Sequence, residues 1–328
     1  MHRISAEFQL ALHRTFILTA AALAMMFIWA FLRMPDGNLL IAVFAFLSAV
    51  RLAELKTTEL RLRGLAGMII AAAVLQYIIS ATHIVIPLNI LLPAAASYFI
   101  LKNLPAASAH PVLLTGFLAY TAPPGALAAA NRVIDILIAG SVALTISYLA
   151  AGNGLLNSSD KPGASLSARE AFTESLTILC AVFLYHFLSM KQGIWIILTI
   201  IFINLSRKPG ECSSELIRQR IFSVPSGIML GGMYSATAVS LDYRLAYLMI
   251  LPGALGFFML YYRHDFFSFS LFFMCAFTVY ADWTTGTFRE FHFLQLLSAR
   301  SLATVIGAAL LLFIEKITET NTCQKSAT

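Results

Sequence analysis

Leu32-Arg-Met-Pro-Asp-Gly37 and Leu188-Ser-Met-Lys-Gln-Gly193 are two versions of one string, 156 residues apart. At the same offset, Lys56-Thr-Thr-Glu-Leu-Arg-Leu-Arg-Gly64 matches Cys212-Ser-Ser-Glu-Leu-Ile-Arg-Gln-Arg220. The match continues with drift: Leu92-Pro93-Ala94-Ala95 against Leu251-Pro252-Gly253-Ala254 at offset 159, and Arg132 against Arg300 at offset 168. A duplication of this length in so apolar a chain predicts a membrane protein made of two like halves, with its working site between them.

Composition agrees. The 328 residues are 59% hydrophobic, with only 22 Lys or Arg and 16 Asp or Glu, and mean hydropathy is +0.81. That is too little charge to cover a soluble domain of this size. The apolar runs are each about 20 residues long, enough to cross roughly 30 Å of hydrocarbon. The expected fold is all-α and polytopic, with twelve transmembrane helices at 15–34, 38–55, 65–83, 85–104, 110–128, 133–151, 171–190, 193–206, 224–241, 243–262, 265–283 and 300–318. They group as a first six-helix repeat over 1–152, a cytoplasmic linker over 153–170 rich in Gly, Asn, Ser, Asp and Pro, and a second repeat over 171–328. The first run, Thr15 to Phe31, has no small-x-small cleavage site and reads as a retained helix.

With the N-terminus in the cytoplasm, sixteen Lys and Arg fall on the inner side and six on the outer. This bias places both termini inside. It also assigns the net charge of +6 to cytoplasmic loops rather than to nucleic-acid binding. Six spans per half is even, so the halves share one orientation. Cys180, Cys212, Cys275 and Cys323 are scattered and imply neither a metal site nor a disulfide framework. Zinc-protease, nucleophile-elbow, paired-aspartate and P-loop signatures are missing, so neither an enzyme nor a cofactor is expected. Work would then draw on gradients, at about 2.3 kcal/mol per charge per 100 mV.

Several residues are candidates for that work. Pro93 and Pro252 fall near mid-span, where proline removes a backbone hydrogen bond and frees the carbonyls of Asn89 and Leu248. Such defects mark either a transport path or a packing kink. Arg132 and Arg300 enter their spans from outside, as snorkelling anchors or as anion ligands. Arg132 has Asp135 three residues on, whereas Arg300 has Ala303 there, so Arg300 is the better anion ligand. The basic segments Arg51 to Arg63 and Arg207 to Arg220 either lie against anionic lipid or form an electropositive inner vestibule. Small residues at Gly67/Ala71, Ser223/Gly227/Gly231 and Ala299/Ala303/Gly307 permit close helix contact. Asp135, Glu174, Asp282 and Glu315 lie near span ends as proton carriers, and none is clearly mid-membrane.

In the second half, Gly193-Ile-Trp195-Ile-Ile-Leu-Thr199, Asn204, Gln219-Arg220 and the small-residue run Ser223 to Gly232 resemble the fusaric-acid-resistance (FUSC) family. Ala299-Arg300-Ser-Leu-Ala-Thr-Val-Ile-Gly307-Ala fits the same resemblance. The first half is weaker, with Leu39 where Trp195 stands and Val43 where Thr199 stands. The resemblance implies exporters of aromatic carboxylic acids in a bacterial inner membrane and, more distantly, the aluminium-activated malate transporters, which are anion channels. Many members carry large cytoplasmic domains that this chain lacks, and some exporters work with a periplasmic adaptor.

The expected function is therefore gradient-driven export of an organic anion, an aromatic carboxylate. Arg220 and the inner basic segments attract it, Pro93 and Pro252 line the path, Trp195 and neighbouring aromatics face the ring, and Thr199 is a further substrate-binding candidate. Arg300 meets the carboxylate, while Arg132 with Asp135 forms the weaker counterpart in the first half. A passive anion channel and a non-transporting scaffold for a partner protein are the alternatives. Expected partners are the anion and the lipid bilayer, with an adaptor and a homodimer left open.

Overall fold

A computed structural model describes residues 2–32, 39–53, 57–82, 86–120, 126–151, 166–188, 193–207, 213–240, 250–263, 265–285 and 293–318. Among them the chain is all-helical, with twelve helices. These are α1 (His2–Phe31), α2 (Leu39–Ala53), α3 (Thr58–Thr82), α4 (Ile86–Asn103), α5 (Ala106–Tyr120), α6 (Ala126–Ala151), α7 (Ala168–Leu188), α8 (Ile194–Ser206), α9 (Ser213–Ser240), α10 (Ile250–Arg263), α11 (Phe266–Thr285) and α12 (Phe293–Ile317). Leu32 ends the described part of the first repeat string; Arg33 to Gly37, Lys56, most of the linker, and Met190 to Gln192 lie outside the described residues.

Local chemistry explains where several helices begin. At α7, Ser167 Oγ accepts from the Glu170 backbone N–H at 3.2 Å, and Glu170 Oε2 accepts from the Ser167 N–H at 2.9 Å, a reciprocal capping box. At α11, Asp265 accepts from the Phe267 N–H at 2.9 Å and from the Ser268 hydroxyl at 2.5 Å. Helices α3 and α9 start well before the expected spans at 65 and 224, because Glu59 holds Arg63 at 2.6 Å and Glu215 accepts from Gln219 at 3.0 Å one turn on. The later parts of the segments expected as basic connections, Thr58 to Arg63 and Ser213 to Arg220, are thus the first turns of long helices. At 25 and 28 residues these run roughly 37 and 42 Å, longer than the hydrocarbon layer.

The surface is inverted relative to a soluble protein. Phe16, Phe27, Tyr77, Phe99, Phe187 and Met233 are each at least two-thirds exposed, while Arg132, Asp135, Arg220, Arg300 and Glu315 are buried. Among the described residues, three helical segments are long and apolar enough to cross a membrane: Phe8–Ile28, Ala168–Leu188 and Leu294–Ile317. The molecule is compatible with an integral membrane protein.

Helix α3 packs on α5 and α6, α2 packs on α5 and α6, and α1 packs on α6. In the later helices α9 packs on α11 and α12, α8 and α7 pack on α12, and α10 packs on α11. The first six helices meet the last six through α4 on α7, α1 on α10 and α5 on α8. The small residues sit at these contacts. A Cβ at Gly227 would lie 2.3 Å from the Leu271 carbonyl oxygen, and one at Gly231 would lie 2.7 Å from that of Cys275. At Gly307 the obstacle is the Ile196 carbonyl, at 2.6 Å. Only a missing side chain lets those backbones approach so closely.

Candidate functional site

Helix α8 sets Trp195, Thr199 and Phe202 one and two turns apart on one buried face. Trp195 meets Phe277 of α11 edge-on at 5.1 Å, and Phe202 meets Phe273 at 5.8 Å. Phe44 of α2 closes the set, 5.5 Å from Phe273, 5.7 Å from Phe202 and 6.2 Å from Phe277. Five rings from α2, α8 and α11 thus form one continuous column at separations favourable for edge and tilted contacts.

An arginine caps each end. The Arg300 guanidinium, from α12, lies 4.3 Å from the Phe277 ring centre and 4.9 Å from that of Trp195. The Arg220 guanidinium, from α9, lies 4.9 Å from that of Phe202. Both arginines are buried, at 4% and 1% exposure, so Arg300 is not a snorkelling anchor and Arg220 does not belong to a lipid-facing surface. Ring faces carry negative potential, which explains why the cations settle there.

The hydrogen bonding of Arg220 is one-sided. Its Nη1 donates to Ser270 Oγ at 2.5 Å, and Ser223 donates to the same oxygen at 2.7 Å. Nε and Nη2 have no hydrogen-bond partner among the described residues. These two nitrogens form the edge that grips a carboxylate with two parallel bonds. The buried hydroxyls of Thr199 and Thr304 likewise have no partner there.

Arg132 stands in a different setting. It donates to Gln76 Oε1 of α3 and to the Ala119 carbonyl of α5 at 3.3 Å, and Asp135, wholly buried, interacts with it electrostatically. Arg132 is also buried and so is not an anchor at the lipid edge. The structure therefore brings Arg300, Trp195, Thr199 and Arg220 to one column and leaves Arg132 with Asp135 in a separate cluster.

Pro93 lies inside α4, and the carbonyl it frees, that of Asn89, accepts from the Tyr120 hydroxyl at 3.1 Å. Pro252 is the third residue of α10 as described, and Leu248 lies outside the described residues. Next to Pro252, Gly253 and Ala254 line an apolar cavity of about 100 Å³ between α1, α2, α10 and α11. Phe273 and Phe277 form its wall on one side and belong to the ring column on the other.

Of the groups that join the earlier and later helices, the sequence singled out Glu174 but not its partner His110, nor Tyr120 and His186. His110 of α5 meets Glu174 of α7 at 2.9 Å, and Tyr120 of α5 meets His186 of α7 at 2.6 Å. A histidine inside an apolar run is a readable signal, but its partner is not. No family model, no curated protein and no solved structure matches this chain. Among the described residues, fold and site define an all-helical protein with an apolar exterior and buried cations set against aromatic rings.

Proposed function

We propose that this chain is a membrane transporter that exports organic anions, aromatic carboxylates foremost, along a path between two like six-helix halves that cross the bilayer twelve times. The observation that carries the reading is the ring column with a buried arginine at each end, one of them with no hydrogen-bond partner on its carboxylate-gripping edge among the described residues. An aromatic carboxylate matches both parts: its ring stacks on Phe and Trp, and its charge answers a guanidinium. The resemblance of Gly193 to Thr199 and Ala299 to Gly307 to the FUSC family points the same way.

Packing supports the two-halves reading. Exchanging α1–α6 for α7–α12 turns the α3–α5 contact into α9–α11, α2–α6 into α8–α12, and α4–α7 into α10–α1, all of which occur. The contact of α5 with α8 has its counterpart in Phe44 of α2 against Phe273 of α11. The arginine-capped column belongs mainly to the later half, which fits a substrate gripped asymmetrically.

The cavity beside the column is smaller than the roughly 150 Å³ that accommodates a benzene ring. Entry of an aromatic acid therefore requires Phe273 and Phe277 to swing or the halves to part. Exit of a monovalent anion from an inside-negative compartment releases about 2.3 kcal/mol per 100 mV.

The test is flux of radiolabelled phthalate, whose two charges slow leakage through lipid, from proteoliposomes holding the full chain under an imposed potential. The parent should release it faster than empty vesicles, and Arg300→Gln and Trp195→Ala should each slow release. Equal rates in protein-containing and empty vesicles, for phthalate and for a panel of aromatic and aliphatic acids, would refute transport. Large unitary currents in a planar bilayer would replace the carrier by a channel.

A further inference from the structure

We infer that His110 and Glu174 form a proton-binding site that couples anion movement to a proton gradient, an inference that rests on the transport reading above. The pair spans the boundary between the two sets of six helices, His110 on α5 and Glu174 on α7, with Nε2 and Oε2 2.9 Å apart. Their side chains are only 7% and 15% exposed.

The hydrogen bonds determine the proton count. His110 Nδ1 lies 3.0 Å from the Ala106 carbonyl, which can only accept, so Nδ1 carries a proton. In a neutral imidazole, Nε2 then presents a lone pair. An ionised carboxylate presents a lone pair as well, and two lone pairs do not hold at 2.9 Å. One additional proton must therefore sit between Nε2 and Oε2, on either atom. When it leaves to water, neutral His110 faces ionised Glu174, the bond is lost and the contact is repulsive. The link between the helices at this end exists only while the proton is bound.

The other link between the same helices needs no extra proton. The Tyr120 hydroxyl donates to the Asn89 carbonyl and accepts from Nε2–H of His186, which a neutral imidazole supplies. Ten residues separate His110 from Tyr120, roughly 15 Å along α5. Loss of one proton thus breaks one of these two polar links between α5 and α7 and leaves the other tied, while α4 on α7 and α5 on α8 keep the two sets of helices packed, so the proton biases one end of the boundary.

The surrounding charges are accounted for. Arg207, which caps α8, acts electrostatically on His110, and it is held by Glu315 of α12 at 3.0 Å, to which Ser213 also donates at 2.7 Å. On α7, Arg169 and Glu170 are exposed; Lys102 on α4 and Lys316 on α12 are exposed as well. On α3, Glu59 and Arg63 form an exposed pair, and Arg61 is partly exposed. Helix α2 presents no charged group among its described side chains. One proton entering as one anion leaves moves charge in the same sense twice, at about 2.3 kcal/mol per 100 mV for each.

The experiment compares phthalate counterflow, which needs no gradient, with phthalate movement driven by an imposed pH gradient, in proteoliposomes of the full chain. The ratio of driven flux to counterflow should exceed one in the parent and fall to one in Glu174→Gln and in His110→Gln. A parental ratio in either variant would overturn the inference. If the parent shows no counterflow of phthalate or of any acid in the aromatic and aliphatic panel, the transport reading falls, and the proton site is then judged by thermal unfolding in detergent. Stability lost from acid to alkaline pH in the parent but not in Glu174→Gln upholds it, and matching profiles overturn it. His110→Gln serves the same comparison if Glu174→Gln fails to fold.

Discussion

Replacing Arg220 by methionine should leave the protein almost as stable as the parent while abolishing its response to an aromatic carboxylate. Methionine fills much of the volume without the charge. The change removes two buried donors that have no acceptor among the described residues, each costing about 1–3 kcal/mol, and forfeits a charge-assisted hydrogen bond to Ser270 of about 1.5–3 kcal/mol. It also loses the contact with the Phe202 ring, about 2 kcal/mol in a desolvated setting. Gains and losses nearly cancel, so Arg220→Met should lie within about 2 kcal/mol of the parent. Arg132→Met is the contrast. It leaves the Gln76 oxygen and the Ala119 carbonyl without their donor and removes the positive charge beside buried Asp135, a loss of about 3–5 kcal/mol.

The assay is thermal unfolding in detergent, read by loss of the monodisperse size-exclusion peak, with and without phthalate. Ligand at about a hundredfold excess over Kd should stabilise the parent by about 2.7 kcal/mol and leave Arg220→Met unmoved. If Arg220→Met unfolds as early as Arg132→Met, Arg220 is a structural cation and the argument from its open edge fails. If Arg220→Met responds to phthalate as the parent does, the carboxylate is held elsewhere.

Gly227→Ala should lose roughly 1–3 kcal/mol through overpacking, because its Cβ meets the Leu271 carbonyl at 2.3 Å and Met274 Cβ at 2.8 Å. Gly253→Ala, with nothing within 4 Å, should be neutral or stabilising by up to about 1 kcal/mol, and equal melting shifts for the two would contradict the α9–α11 packing. Tyr120→Phe strands the carbonyl that Pro93 frees and should cost about 1–3 kcal/mol, unless the variant melts with the parent. At the start of α9, outside the expected span, hydrogen bonds from Gln219 and Arg218 hold the Glu215 carboxyl below its ordinary range. A lowered carboxylate contributes stability that is present above its unfolded pKa and lost as pH falls through the folded value. Amide exchange over 213–219 should therefore rise on acidification in the parent, after correction for intrinsic rates, and show no such step in Glu215→Gln.

Helical class and apolar exterior were legible in the residues, because run length, charge scarcity and the spacing of small side chains are local properties. The close contacts at Gly227, Gly231 and Gly307 occupy positions chosen from that spacing alone. Of the residues chosen from the sequence, Arg300, Trp195, Thr199 and Arg220 share one buried cluster, whereas Arg132 and Asp135 stand apart. Phe44, Phe273 and Phe277 were hidden among the 25 phenylalanines, since nothing local distinguishes a ring in a column from a ring facing lipid.

What the chain determined by itself is helix-forming apolar runs, two related strings, and arginines in runs that leave them little water. Only the tertiary structure decided what each buried charge faces. Ser270 stands 50 residues from Arg220, Gln76 stands 56 from Arg132, Glu174 stands 64 from His110 and His186 stands 66 from Tyr120. Those pairings depend on which helices pack and at what rotation, and helix periodicity carries no information about a partner that far along the chain. Burial makes the charges consequential, because the energy of an unmet donor or an unshared proton appears only once water is excluded.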